Sequence, residues 1–217
     1  KAFIVDIKKI TAKIPTQRQT LFFSATVPAE IKKLASVLLR NPVSVEMRPA
    51  ISKISVDERL YFVDKQSKKD LLCHLIQNEA VNHALIFTRT KRGADRLVKS
   101  LTASGIRSLA IHGDKSQGAR QKALNDFKSK KVNILVATDV ASRGIDVKEL
   151  PYVINYDLPE QAETYTHRIG RTARAGASGI AISFCGNDER MELKDIQKYT
   201  GKTIPVVKHT FATSGNV

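Results

Sequence analysis

The chain has 217 residues, 42% of them hydrophobic, and no apolar run nears membrane-spanning length, which fits one full soluble domain plus a smaller piece. Its 36 Lys and Arg against 21 Asp and Glu leave a net charge of +15, which favours polyanions such as nucleic acid and says nothing about fold. The two cysteines, Cys73 and Cys185, form no C-x-x-C or metal-spaced cluster, so reduced thiols in a cytosolic protein are expected and a disulfide or metal site is not. The opening Lys1-Ala2-Phe3-Ile4-Val5-Asp6 has no starting Met, long apolar core or cleavage site, and reads as part of a longer polypeptide without a signal peptide.

Short apolar runs alternate with amphipathic stretches, the pattern of an α/β fold with a parallel sheet covered by helices on both faces. The front piece reads as helix Val5–Ile14, strand Thr20–Ser24, helix Ala29–Leu39 and strand Val43–Glu46. Then come strand Arg59–Val63, helix Lys68–Asn78, strand Ala84–Phe87, helix Lys91–Ser104, strand Ser108–Ile111, helix Gln117–Lys128 and strand Ile134–Ala137. Strand Tyr152–Asn155, helix Ala162–Arg171, strand Gly179–Phe184 and helix Glu189–Thr200 complete the series. Between Met47 and Val56 the pattern lapses into Arg48-Pro49-Ala50-Ile51-Ser52-Lys53, a connector. This divides the chain into a front piece (1–48), a linker (49–56), a main domain (57–209) and a tail (210–217). Two helix-strand units are too few to close a core, so the front piece is expected to pack on a missing neighbouring domain or a second copy.

Four segments carry chemistry. His167-Arg168-Ile169-Gly170-Arg171-Thr172-Ala173-Arg174-Ala175-Gly176 places Arg171 and Arg174 three apart, so on one continuous helix their guanidinium forks would converge on a phosphate, the requirement for an arginine finger. Read alone, the same decamer is a solvated basic helix. Ala137-Thr138-Asp139-Val140-Ala141-Ser142-Arg143-Gly144-Ile145-Asp146 follows an apolar strand, at the end where ligands sit in open α/β sheets. There Thr138 suits a phosphate, Asp146 a ribose hydroxyl and Gly144 a close backbone approach, although Thr-Asp after a strand also serves simply to cap a helix. His112-Gly113-Asp114-Lys115-Ser116-Gln117-Gly118-Ala119-Arg120 places Ser116 to cap a helix whose Gln117 and Arg120 share a face, a phosphate site or mere surface. Ser24-Ala25-Thr26 ends the apolar run from Gln19, and Thr26 there also suits a cap for the helix that Pro28 begins.

In this order the segments resemble the second half of a DEAD-box ATP-dependent RNA helicase, over nearly the whole chain. Ser24-Ala25-Thr26 looks like motif III, Ala84 to Arg89 like motif IV, Gln117 to Arg120 like the Q-x-x-R motif, Ala137 to Asp146 like motif V and His167 to Gly176 like motif VI. The run from Arg18 to Thr26, the Thr-Ala-Arg-Ala-Gly wording and the Ile204-Pro205-Val206 ending look most like the bacterial RhlE-type subgroup. The resemblance implies a RecA-like domain 2, preceded by the end of domain 1, that closes with its own N-terminal domain over ATP and RNA. It implies Arg171 and Arg174 as fingers at the γ-phosphate, Asp146 and Gly144 at the nucleotide, and His167 as a coupling residue beside Ser24 and Thr26. Thr138, Gln117, Arg120 and the Gly113 backbone would hold RNA phosphates and sugars, with Arg143, Thr90 and Lys91 as further candidates and Phe87 as packing beneath motif IV.

The chain has no Walker A loop, no Asp-Glu-Ala-Asp sequence and no Q-motif, so ATP phosphates and Mg²⁺ are expected on the N-terminal half and the piece alone should not hydrolyse ATP. Gly201-Lys202-Thr203 is no phosphate loop, because Ile196 stands where glycine is needed and a helix precedes it. Ala173 replaces a glycine common in relatives, a change that suits a helix. A non-catalytic RNA-binding module is the rival reading. It has no reason to keep Arg171, Arg174 and Asp146 together. No G-x-G-x-x-G follows a strand, which disfavours a dinucleotide oxidoreductase.

Overall fold

The computed structural model describes residues 2–24, 29–45, 56–78, 81–142, 147, 149–172 and 179–213. It falls into two compact units, Lys1–Ala50 and Ile51–Val217.

In the first unit, helix α2 (Ala29–Leu38) forms where the apolar spacing places it, and helix α1 (Ala2–Thr11) begins and ends three residues before the expected Val5–Ile14. The expected strands do not. Thr20–Ser24 and Val43–Val45 carry no regular structure, and the apolar run proposed as buried is open to solvent, Leu21 at 69% and Phe23 at 88%. A parallel strand needs hydrogen-bonding neighbours, and the described residues of this unit include no strand to supply them.

The second unit is the α/β layer structure that the alternation predicts. Strands β1 (Val56–Phe62), β2 (Ala84–Phe87), β3 (Ser108–Ile111), β4 (Ile134–Ala137), β5 (Tyr152–Asn155) and β6 (Gly179–Cys185) form one sheet in the order β1-β6-β5-β2-β4-β3. Every pairing is parallel. The connecting helices are α3 (Lys68–Asn78), α4 (Lys91–Ala103), α5 (Gln117–Lys128), α6 (Asp139–Ser142), α7 (Ala162–Ile169) and α8 (Arg190–Thr200). Strand side chains alternate between two cores: Ala84, Ile86, Ile134 and Val136 pack with Leu72 and Leu101 of α3 and α4, whereas Leu85, Phe87, Leu135 and Val153 pack with Ala123 and Phe127 of α5. Both faces being covered is why the strands read as unbroken apolar runs. A third cluster joins Tyr165 of α7 and Ile196 of α8 to Leu60 and Cys185 of β1 and β6.

Local chemistry sets the boundaries. Thr90 Oγ1 accepts from the Gly93 amide at 2.9 Å and Ser116 Oγ from the Ala119 amide at 3.2 Å, capping α4 and α5 at the hydroxyls that precede them. At the far end of α4, Ile106 N–H returns to the Leu101 carbonyl (2.8 Å) and Gly105 N–H to Thr102 (3.0 Å), a Schellman closure that requires the left-handed Gly105, φ +78°. The free edge of β1 is covered by the chain after α8. Leu60 N–H donates to Pro205 and Val207 N–H to Leu60, both at 2.8 Å.

Two expectations for this unit are corrected. The short helix α6, absent from the sequence reading, begins one residue after β4, past Thr138, and has too few residues to show a period. Helix α7 stops at Ile169, because Gly170 caps it and Thr172 leaves to pair with Leu150, so Arg171 stands in a turn beyond the helix.

Candidate functional site

All six strands run the same way, so their carboxyl ends open on one edge of the sheet. There the registers align: Phe87 pairs with Ala137 and Asn155, and Ile111 pairs with Ala137. The residues next in chain, Thr88, His112, Thr138 and Tyr156, therefore leave the sheet at one level. Ligands in open α/β sheets bind beyond this edge.

The loops there carry the residues that the sequence singles out. Gly113 lies in an exposed turn after β3, and Gln117 and Arg120 occupy one side of the first turn of α5, where Arg120 donates to Gln117 Oε1 at 3.2 Å. Arg120 is half-buried and its Nε is unpartnered in the interior. Thr138 is buried at the end of β4. Thr90 is engaged as the α4 cap, and Lys91 reaches Asp114 at 2.5 Å. Phe87 is buried in the second core, as expected of a packing residue. His167, near the end of α7, is exposed, and Arg171 is half-buried just past it. The turn holding Arg171 is pinned twice, by Leu150 N–H to the Arg171 carbonyl (3.2 Å) and by Thr172 Oγ1 to the Leu150 carbonyl. Ser24, in the first unit, is exposed. Thr26, Arg143, Gly144, Asp146 and Arg174 lie outside the described residues. Helix α7 ends at Ile169, so Arg171 stands beyond the helix on which the sequence spacing placed it.

The residue that holds this edge together is one to which the sequence reading assigns no role. Arg168 of α7 is 2% exposed and grips both carboxylate oxygens of Asp139, at 2.7 and 2.8 Å. It also donates to Asn155 Oδ1 (3.0 Å) and the Asp157 carbonyl (2.7 Å), with its guanidinium 4.8 Å from the Phe87 ring centre. One planar side chain thus ties α7 to the ends of β2, β4 and β5. The available signals were Asn155 closing an apolar strand and Asp139 two residues past the end of another.

A second buried pair lies nearby. Lys68 Nζ meets Glu189 Oε2 at 2.5 Å and the Tyr156 carbonyl at 2.8 Å, and Glu189 also accepts from the Leu158 amide (3.0 Å) and Gly186 amide (2.9 Å). Above it a cavity of about 400 Å³ opens between Arg89, Thr90 and Arg96. Burial, reinforced by the carboxylate of Asp157, pushes the Tyr156 phenol above its ordinary range, so it stays protonated. At the opposite rim a cavity of about 520 Å³ is lined by His83, Asn133, Glu149 and Leu150, the last of which also pins the Arg171 turn. Among the described residues no three His, Cys, Asp or Glu converge as a metal site, and no helix is long and apolar enough to cross a membrane.

Residues 67–176, half of the chain, match the helicase conserved C-terminal domain. The DEAD-box ATP-dependent RNA helicase RhpA of Helicobacter pylori is 40% identical over 197 residues, covering 90% of this chain and 40% of that protein. Among solved structures, Escherichia coli DEAD-box protein SrmB bound to regulator of ribonuclease activity A superposes with a TM-score of 0.68 at 32% identity, over 75% of this chain and 98% of that one. Saccharomyces cerevisiae Dbp5 bound to RNA and ADP BeF3 gives 0.77 at 31% identity, over 94% of this chain and 54% of that one. The chain spans about 40% of the length of the curated relatives it matches. By sequence match and by superposition, the chain belongs to the helicase conserved C-terminal domain family, in its DEAD-box branch.

Proposed function

We propose that this chain is the C-terminal half of an ATP-dependent RNA helicase, in which ATP binding and hydrolysis across a two-domain cleft drive local unwinding of RNA duplexes. One observation carries the reading: the loops bearing Thr90, Gly113 and Thr138 leave β2, β3 and β4 at one level of the sheet, with Gln117 and Arg120 on the helix that follows. That array suits a sugar-phosphate backbone more than bases, because hydroxyl, backbone and guanidinium donors meet phosphates without reading sequence. Arg143 belongs to the same RNA-facing set.

The nucleotide side falls to motifs V and VI. Arg171 and Arg174 stabilise charge on the γ-phosphate, Asp146 and Gly144 meet the nucleoside, and His167 couples this group to Ser24 and Thr26. Half-burial of Arg171 in a turn pinned to Leu150 supports a finger whose backbone is held before ATP arrives. ATP supplies the phosphoanhydride bond, and its Mg²⁺ sits on the N-terminal half, so the 217-residue chain alone is inactive. The exposed Leu21 and Phe23 suit a covering by that N-terminal half, and pairing of two copies through the same segment is the alternative that light scattering distinguishes. Membership of the RhlE-type subgroup rests on the Arg18–Thr26 and Thr172–Gly176 wording.

The test is RNA-stimulated ATPase of this chain, alone and mixed with a separately produced N-terminal half carrying the phosphate loop. Activity only in the mixture, lost with Arg171→Ala, is expected. Hydrolysis by the chain alone overturns the division of labour, and RNA binding without activity in an associated mixture leaves a non-catalytic binding module.

A further inference from the structure

Helix α4 presents one charged edge to the turn that follows β3. Lys91 and Asp95 are four residues apart on it, hence neighbours on its surface. Lys91 Nζ lies 2.5 Å from Asp114 Oδ1. Asp95 Oδ1 lies 2.9 Å from Lys115 Nζ and 3.1 Å from His112 Nε2. The imidazole is buried, and its contact with Asp95 is an ion-pair distance without the alignment of a hydrogen bond. Polarity alternates along the edge: a helix cation faces a turn anion, then a helix anion faces a turn cation and an imidazole. Any shift of the turn by one position brings like charges together, so the pattern specifies one register. Gly113 sits inside the bracket, with the Lys91 stem 3.5 Å from where its Cβ would stand.

We propose that Lys91 and Asp95 form a charge-alternating clamp that fixes the Gly113 turn, making them positioning residues for the RNA backbone site and Lys91 no direct phosphate ligand. The proposal rests on the reading that this turn faces RNA. Two further observations agree. The Asp95 carboxyl is held below its ordinary range by His112 and Lys115, and that of Asp114 by Lys91, so both anions persist at neutral pH. Lys91 spends its charge on Asp114, whereas the Arg120 guanidinium on α5 is bonded to the neutral amide of Gln117.

Asp95→Asn distinguishes the clamp from simple electrostatics. Removing a negative charge from a chain of net charge +15 strengthens long-range attraction to RNA, whereas loosening the turn weakens binding, so the two effects have opposite signs. Amide hydrogen exchange over residues 112–116 and binding of a short fluorescein-labelled oligouridylate are measured on the full chain, with a thermal melt to confirm folding. Asp95→Asn and Lys91→Met are each expected to raise exchange there and weaken RNA binding, both by roughly fivefold, as an exposed pair allows. The charge-exchanged Lys91→Asp with Asp114→Lys restores both at unchanged net charge. Unaltered exchange in the single variants overturns the clamp. So does an RNA defect in Lys91→Met with normal exchange, which makes Lys91 a phosphate ligand. Faster exchange with unchanged RNA affinity upholds the clamp and overturns the assignment of this turn to RNA.

Discussion

Arg168 and Asp139 meet as a two-pronged pair, Nε to Oδ1 at 2.7 Å and a terminal nitrogen to Oδ2 at 2.8 Å, with the arginine enclosed and the aspartate one-third exposed. Removing one partner of a buried pair costs about 3–5 kcal/mol, and the partial exposure of Asp139 lets its carboxylate rehydrate, which places Arg168→Ala near the lower figure. Arg168→Lys keeps charge but loses the fork that reaches Asp139, Asn155 and the Asp157 carbonyl together, and is expected to recover less than half of the loss. Urea unfolding followed by circular dichroism measures both. A loss under about 1 kcal/mol for Arg168→Ala would show the pair to be peripheral.

Lys68 and Glu189 are each almost wholly enclosed. Lys68→Met leaves the Glu189 carboxylate with two backbone donors and only the more distant Arg89 guanidinium, 3.5 Å away, and a loss of about 3 kcal/mol is expected. Glu189→Gln is expected to do less harm, since Asp157 remains 3.6 Å from Lys68 Nζ. Because a buried pair replaced together removes both charges, the double variant should lose well under the sum of the singles. A double-mutant cycle with strictly additive values would contradict the coupling.

What the sequence discloses of this fold follows the physics of each signal. Strands β2 to β5 lie where short apolar runs place them, since a sheet buried on both faces must read as unbroken apolar residues and its caps as Thr90 and Ser116. The same signal misleads at Leu21 to Phe23, because apolar content marks a strand only where neighbours exist to pair with it. Helix α7 ends before Arg171, where the spacing predicts it to continue, because Thr172 pairs with Leu150 in the tertiary fold. The residues proposed to touch ligand were legible as polar groups at strand ends. Their support, Arg168 on Asp139 and Asp95 on His112 and Lys115, joins positions far apart in sequence, and no local pattern announces a partner at that distance.

The two thiols should differ sharply. Cys185 is buried against the third core, and burial, with the charge of Glu189 adding to it, pushes its pKa up to about 12. At pH ~8 only about one such thiol in ten thousand is ionised, and thiolate is the reactive form. Cys73 on α3 is only partly enclosed. Ellman's reagent on the native chain is expected to titrate no more than one thiol per molecule, the second appearing on addition of denaturant. Mass spectrometry of the labelled peptide should place the native adduct at Cys73, and rapid labelling of Cys185 in folded protein would contradict this packing.

The clamp at the Gly113 turn has a defined response to acid. Asp95 and Asp114 both have carboxyls held below the ordinary value of 3.8, so each charged pair is present above that value and is lost as pH falls through the lower, folded one. The part of the 112–116 amide protection that these carboxylates supply, corrected for intrinsic exchange, is therefore expected to decline below 3.8. Both side chains are exposed, so their protonation should free the turn without unfolding the sheet. Protection of β2 and β4 amides, measured in the same samples, supplies the internal comparison. Loss of turn protection already complete above about pH 5 would show that the two carboxylates do not control it.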